Sequence, residues 1–216
     1  MPMALAPPPA TSQPPELEPA WLRLPWDLRL SPEQFERVCQ ANPEAVLELA
    51  ADGQLIAMTP TGGETSSRNS RLLIQLGLVL PRCAPALRIF DSSGGFRLPD
   101  GSVLSPDAAL VREERWQALT PEQRRGFPPL CPDLVVELAS ASDEGPRGLT
   151  ALRRKMDTYQ ANGAQLGWLL LPHQRAVEIW RGGLTGMAER MENAIRLEGA
   201  ALAEGLELEL EPIWAG

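Results

Sequence analysis

Histidine, lysine and tyrosine are almost missing from this chain: His173, Lys155 and Tyr159 are the single examples of each among 216 residues. One histidine excludes an HExxH helix and any two-histidine metal site. A Ser-His-Asp triad would have to use His173 without a GxSxG elbow. No Walker-type or GxGxxG glycine loop is present, so the Gly-rich phosphate cradles are excluded as well. The 3 cysteines, Cys39, Cys83 and Cys131, are odd in number and form no CxxC pair. Neither a disulfide framework nor a zinc knuckle is therefore indicated, and the thiols read as small buried hydrophobes. No apolar run approaches the ~20 residues of a membrane span. The first residues carry neither the basic nor the apolar region of a signal peptide, so a cytoplasmic location is expected.

What remains is an acidic, ordinary globular composition: 44% apolar and a net charge of -8. That charge argues against a protein that coats nucleic acid nonspecifically, because phosphate binding is driven by basic side chains. Much of the acidity lies between Glu198 and Glu211. Arg68, Arg71, Arg82, Arg88 and Arg97 make the stretch before Asp107 locally basic, so the field is expected to be split by face. Residues 1–20 are Pro-rich and read as a flexible tail, and residues 21–216 as one domain.

Along that domain, Ser31-Pro32-Glu33-Gln34 starts a short helix. Residues 45–49 and 54–58 flank Asp52-Gly53 as a hairpin. Thr61-Gly62-Gly63-Glu64 opens a helix with the stripe Leu72, Leu73, Leu76, Val79 and Leu80, and Glu64, Arg68, Arg71 and Gln75 lie on its flank. Short β segments follow at 87–90, 95–98 and 108–111. A polar connection over 112–131 holds one helical piece from Thr120. The strand 134–138, a helix over 148–162 and strands 166–171 and 176–180 complete a βαβ-like unit in a mixed sheet. The stretch 202–214 alternates acid and apolar residues like an edge strand.

With histidine and cysteine chemistry removed, carboxylates holding a hard divalent cation such as magnesium remain. Asp107 begins one apolar strand and Glu137 lies near the end of another. An unpaired carboxylate in a buried strand is costly, and a bound cation resolves that cost. The alternative, taken singly, is that each acid at a strand end simply faces solvent. Lys155 sits on the helix after the Glu137 strand, beside Leu152, Met156 and Tyr159, where its stem can reach the strand ends. As the only lysine in an arginine-rich chain it suggests a task needing a compact, tunable cation. A solvated basic helix face with Arg153 and Arg154 is the alternative. Glu64 and Arg68 allow an intrahelical ion pair, or Glu64 is a third acid leaning on the metal site, with Gly62 and Gly63 admitting a phosphate.

These residues stand in recognisable company. Pro60-Thr61-Gly62-Gly63-Glu64 with Arg68-Asn69, Phe90 to Phe96, Ser105-Pro106-Asp107-Ala108, Phe127 to Asp133, Val135-Val136-Glu137-Leu138 and Leu166-Gly167-Trp168 resemble the Uma-two restriction-endonuclease family of the PD-(D/E)xK nuclease superfamily. The resemblance runs over about residues 20 to 182. It implies an α/β fold with a restriction-endonuclease-like core, a mixed curled β-sheet flanked by helices. It makes Asp107 the Asp of the PD motif and Glu137 its second acid. Lys155 becomes a lysine moved from the strand to the next helix, since the strict lysine position falls on Ala139, and Glu64 an additional acid. The expected activity is cleavage of DNA phosphodiesters with Mg2+, or Mn2+ in its place. Cutting both strands needs two active sites, hence a homodimer. The alternative is a catalytically degenerate binding or regulatory module on the same fold. A hydrolase using Ser140 or Ser142 is a weaker third reading, because no base is placed for it.

Overall fold

The computed structural model describes residues 25, 27–83, 85–183 and 188–216; the Pro-rich tail, residues 1–20, lies outside the described residues. Helix α1 (Pro32–Ala41) starts as its sequence dictates: the Ser31 hydroxyl accepts from the Gln34 amide, and the Gln34 side chain accepts from the Ser31 amide, ahead of a proline in the first turn. Strands β1 (Leu47–Leu49) and β2 (Leu55–Ala57) pair antiparallel around Asp52-Gly53. Helix α2 (Gly63–Val79) follows.

The main sheet has six strands. In spatial order they are β10 (Glu189–Glu192), β9 (Ala176–Arg181), β8 (Leu166–Leu171), β7 (Leu134–Leu138), β6 (Ala108–Arg112) and β3 (Leu87–Asp91). Only β7 and β8 are parallel, joined through helix α5 (Pro146–Ala161), so the sheet is mixed and open. A smaller sheet lies beside it. In that sheet β1 also pairs with β5 (Val103–Leu104), which pairs in turn with β4 (Phe96–Arg97).

Strand alternation gives the main sheet a core on each face, and Phe35, Leu49 and Val103 form a third, smaller one. Leu134, Val136 and Leu138 of β7 face α2, where Leu72 and Leu76 are fully buried. Val135 and Ala139 face α5, where Met156 and Tyr159 are buried. Each such aliphatic side chain contributes about 1.5–3 kcal/mol relative to an exposed one. Glu137 has the parity of Val135 and Ala139, so the strand places an acid in the α5 layer.

The structure adds and corrects details. The polar connection holds two short helices, α3 (Glu113–Gln117) and α4 (Pro121–Arg125), where the sequence indicated one. Helix α5 starts at Pro146, with Gly145 as its cap, rather than at Gly148. The alternating C-terminal stretch supplies an edge strand, in a separate two-stranded sheet. Strand β12 (Glu207–Glu209) pairs with β11 (Arg196–Glu198) alone, and α6 (Glu211–Trp214) follows. Leu208, Leu210, Ile213 and Trp214 from this stretch close the α2 core. Among the described residues no helix is long and apolar enough to cross a membrane.

Candidate active site

Strands β6 and β7 pair Ala108 with Val136, Ala109 with Val135 and Leu110 with Leu134. Carried one residue further, this antiparallel register sets Asp107 across from Glu137, which puts both carboxylates at one sheet end. Asp107 is held from two directions. Its Oδ2 accepts from the Leu138 amide at 2.8 Å and its Oδ1 from Asn69 Nδ2 of α2 at 2.9 Å.

Glu137 is 4% exposed. Its Oε1 accepts from Lys155 Nζ at 2.9 Å and from the Tyr159 hydroxyl at 3.3 Å. Lys155 and Tyr159 are one turn apart on α5, so one helix face delivers both donors. Gly167 on β8 permits the close approach: a Cβ there would lie 2.6 Å from Met156 Cε and 3.3 Å from Trp180 Cβ. A side chain at 167 would have to displace the Met156 methyl and crowd Trp180.

A third carboxylate completes the cluster. Glu48 of β1 is 3% exposed. Its Oε1 lies 2.8 Å from Lys155 Nζ and accepts from the Ser105 amide at 2.8 Å. The ammonium makes its third contact with the Ser105 carbonyl at 3.0 Å. All three N–H donors of Lys155 are thereby satisfied.

The charges do not balance, and the electrostatics register it. Burial raises the Asp107 pKa above the ordinary carboxylate range, against the pull of Leu138, Asn69 and Lys155. Burial pushes Glu137 up to about 8, with the Asp107 and Glu48 charges adding to it and Lys155 opposing. Burial by itself would lower Lys155, but Glu137 and Glu48 outweigh it and hold the ammonium above its usual range. Tyr159 is raised by burial and then by Glu137, so it remains a neutral donor.

Three carboxylates against one ammonium leave a net charge of -2 if all are ionised, which a divalent cation would neutralise. The donor chemistry suits magnesium, whose ligands are oxygens and which retains several waters while binding through one or two carboxylates. Among the described residues no three His, Cys, Asp or Glu side chains converge as a ready-made cage. A two-carboxylate site does not require one. Asp107 and Glu137 supply two oxygen-donor carboxylates of that kind at one sheet end.

A family model described as "Putative restriction endonuclease" matches residues 32–212. The chain belongs to this family, Uma2. A crystal structure described as that of a putative nuclease from Anabaena variabilis matches the Uma2 chain with a TM-score of 0.65 and 18% identity, covering 86% of this chain and 98% of that one. At that identity it shows a shared fold. No curated protein matches.

Within this Uma2 chain Asp107, Glu137 and Lys155 come together, and Glu64 stands apart from them. Its carboxylate pairs with Arg68 at 2.7 Å. It borders a cavity of about 420 Å³ with Gly62, Gly63, Ser140, Ser142 and His173, and none of Asp107, Glu137 and Lys155 lines that cavity. Ser140 bonds Asp143 and meets Ser142, and among the described residues neither serine bonds His173. Arg68 does not belong to an exposed basic face. It is 4% exposed and donates to the carbonyls of Ile213 and Trp214, while Arg71 donates to that of Pro212. Sequence reasoning missed Glu48.

Proposed function

We propose that this chain is a magnesium-dependent endonuclease of the PD-(D/E)xK type that hydrolyses phosphodiester bonds in DNA. Manganese would substitute, and the enzyme would act in the cytoplasm as a homodimer. The observation that carries the reading is the ion pair between Lys155 and Glu137, 2.9 Å, beside Asp107 at the same sheet end.

In this reading Asp107 and Glu137 hold the cation, which when bound supplies charge stabilisation at the scissile phosphate and lowers the pKa of an attacking water. The chain does the positioning. Asn69 and the Leu138 amide fix the Asp107 carboxylate in one orientation, and Tyr159 and Lys155 fix that of Glu137. Glu48 orients the ammonium and anchors it to β1. Lys155 is the cation available to stabilise charge developing on phosphate oxygens or to orient the water. Its N–H groups are all engaged, so phosphate contact requires one acceptor to be released. The Ser105 carbonyl, being neutral, is the weakest of the three.

The same saturation of Lys155 favours the second reading, a binding module whose lysine only compensates buried acids. Plasmid nicking with magnesium or manganese separates the two. Wild type should nick, and Asp107→Ala, Glu137→Ala and Lys155→Ala should not. Equal activity in all four would reject the assignment. Inactivity of wild type together with retained DNA binding would establish the module.

A further inference from the structure

Aromatic side chains make up 5% of the chain, with 4 phenylalanines in all. Phe90, Phe96 and Phe127 line one cavity of about 410 Å³ together with Trp116. That volume falls in the ~300–1,000 Å³ range of small-molecule sites. The fourth phenylalanine, Phe35, backs Phe127 with ring centroids 5.6 Å apart. Phe90 meets Phe96 edge-on at 5.2 Å and Trp116 at 5.1 Å and 59°. The rings therefore frame the space at angles to one another.

Two guanidinium groups stand over Trp116, Arg88 at 5.4 Å and Arg124 at 5.9 Å. Arg88 is held by both oxygens of Glu113. Arg124 forms no ion pair among the described residues. Its Nη2 donates to the Gln117 carbonyl at 2.8 Å, and its Nε is buried without an acceptor. Glu36 of α1 adds a carboxylate to the lining.

Gly95 of the cavity lining lies next to Ser105, which borders the carboxylate cluster. A Cβ on Gly95 would lie 2.8 Å from the Phe127 ring and 3.2 Å from Ser105 Oγ, so glycine lets this loop pass between the two. Ser105 is the residue whose amide and carbonyl hold Glu48 and Lys155.

We propose that this cavity binds a single nucleobase, stacked against its aromatic wall with Arg124 on the acceptor-bearing edge. In a DNA substrate that base would be one unstacked beside the scissile phosphodiester, a step that rests on the function proposed above. A base matches the lining in both respects. Its faces stack on aromatic side chains, worth about 1–3 kcal/mol per base, and its edge carries the acceptors and donors that Arg124 and Glu36 complement. An aliphatic ligand would leave both charged groups unused.

The test is saturation-transfer NMR of the full chain with the four deoxynucleoside 5′-monophosphates, deoxyribose 5-phosphate as the base-free control, and a short duplex. The variants are Gln40→Trp, which fills the cavity from an exposed position of α1, and Arg124→Ala. Saturation of base protons in wild type, no saturation of the sugar protons of the control, and at least tenfold weaker binding in both variants is expected. If wild type saturates no base proton of nucleotide or duplex, or if Gln40→Trp binds as wild type does, the proposal is overturned. A signal from free nucleotides alone keeps the site and names a free nucleotide as its ligand. Plasmid nicking by the same samples separates the two claims. Base binding without nicking removes the nuclease reading and leaves the cavity; nicking without base binding removes the cavity proposal alone.

Discussion

Lys155 Nζ lies 2.9 Å from Glu137 Oε1 and 2.8 Å from Glu48 Oε1, joining α5 to two different sheets through one ammonium. Removing it leaves buried carboxylates unpaired, which costs about 3–5 kcal/mol. Lys155→Ala is therefore expected to melt well below wild type and to lose nicking by on the order of 10² to 10⁴. Lys155→Arg should recover stability in part and activity hardly at all, because a planar fork does not reproduce three acceptors converging on a point. Thermal melts and nicking rates check both, and full activity in Lys155→Arg would contradict the role assigned.

Stability should also depend on pH through Glu137. Burial raises its pKa from the ordinary 4.5 to about 8 in the fold. Between those values the folded chain keeps a proton that the unfolded chain has lost. The contribution is thus fully present below about 4.5, declines as pH rises and is gone above about 8. Lys155 stays charged across this window and does not offset the loss. Glu137→Gln mimics the protonated acid, so its melting temperature should match wild type near pH ~5 and exceed it near pH ~9 in the absence of metal. Each unit is worth about 1.4 kcal/mol, enough to read in a melt. Parallel pH profiles for the two proteins would rule this out.

A cation bound by Asp107 and Glu137 should stabilise the fold by mass action, by about 2.7 kcal/mol at a concentration one hundred times its Kd. The expected result is a melting temperature that rises with added magnesium, returns on chelation and does not respond in Asp107→Ala. Titration calorimetry supplies the affinity independently. A magnesium response of the same size in Asp107→Ala would place the ion elsewhere.

The sequence exposes some of these residues and hides others for physical reasons. Asp107 and Glu137 are legible because an acid inside an apolar strand is an anomaly on its own strand. Lys155 is legible because it is the single lysine. Glu48 is not, since Leu47-Glu48-Leu49 reads as an ordinary half-exposed hairpin strand. Only the packing of β1 against β5, which brings Ser105 to it, buries its carboxylate. The pairing of Arg68 with Glu64 was visible in their spacing, but the burial of Arg68 was not. It depends on a segment some 145 residues further along the chain folding back over α2.

That fold-back yields the last prediction. Arg68, 4% exposed, donates from Nε to the Ile213 carbonyl at 2.9 Å and from Nη2 to that of Trp214 at 3.4 Å. Gln75 exchanges two hydrogen bonds with the Glu209 backbone, both 3.0 Å. Hydrogen bonds from a charged, buried donor contribute about 1.5–3 kcal/mol, so Arg68→Ala should cost about that much. Arg71→Ala, whose bond to Pro212 is exposed, should cost under about 1 kcal/mol. Hydrogen exchange should accelerate at Leu208, Leu210 and Trp214 in the first variant and barely in the second. The salt dependence of DNA binding distinguishes this clasp from a phosphate contact, because losing one phosphate contact lowers the logarithmic slope by about 0.9. Arg68→Ala is expected to leave that slope unchanged. A lower slope at wild-type stability would mean that Arg68 releases the C-terminal segment and turns to the DNA.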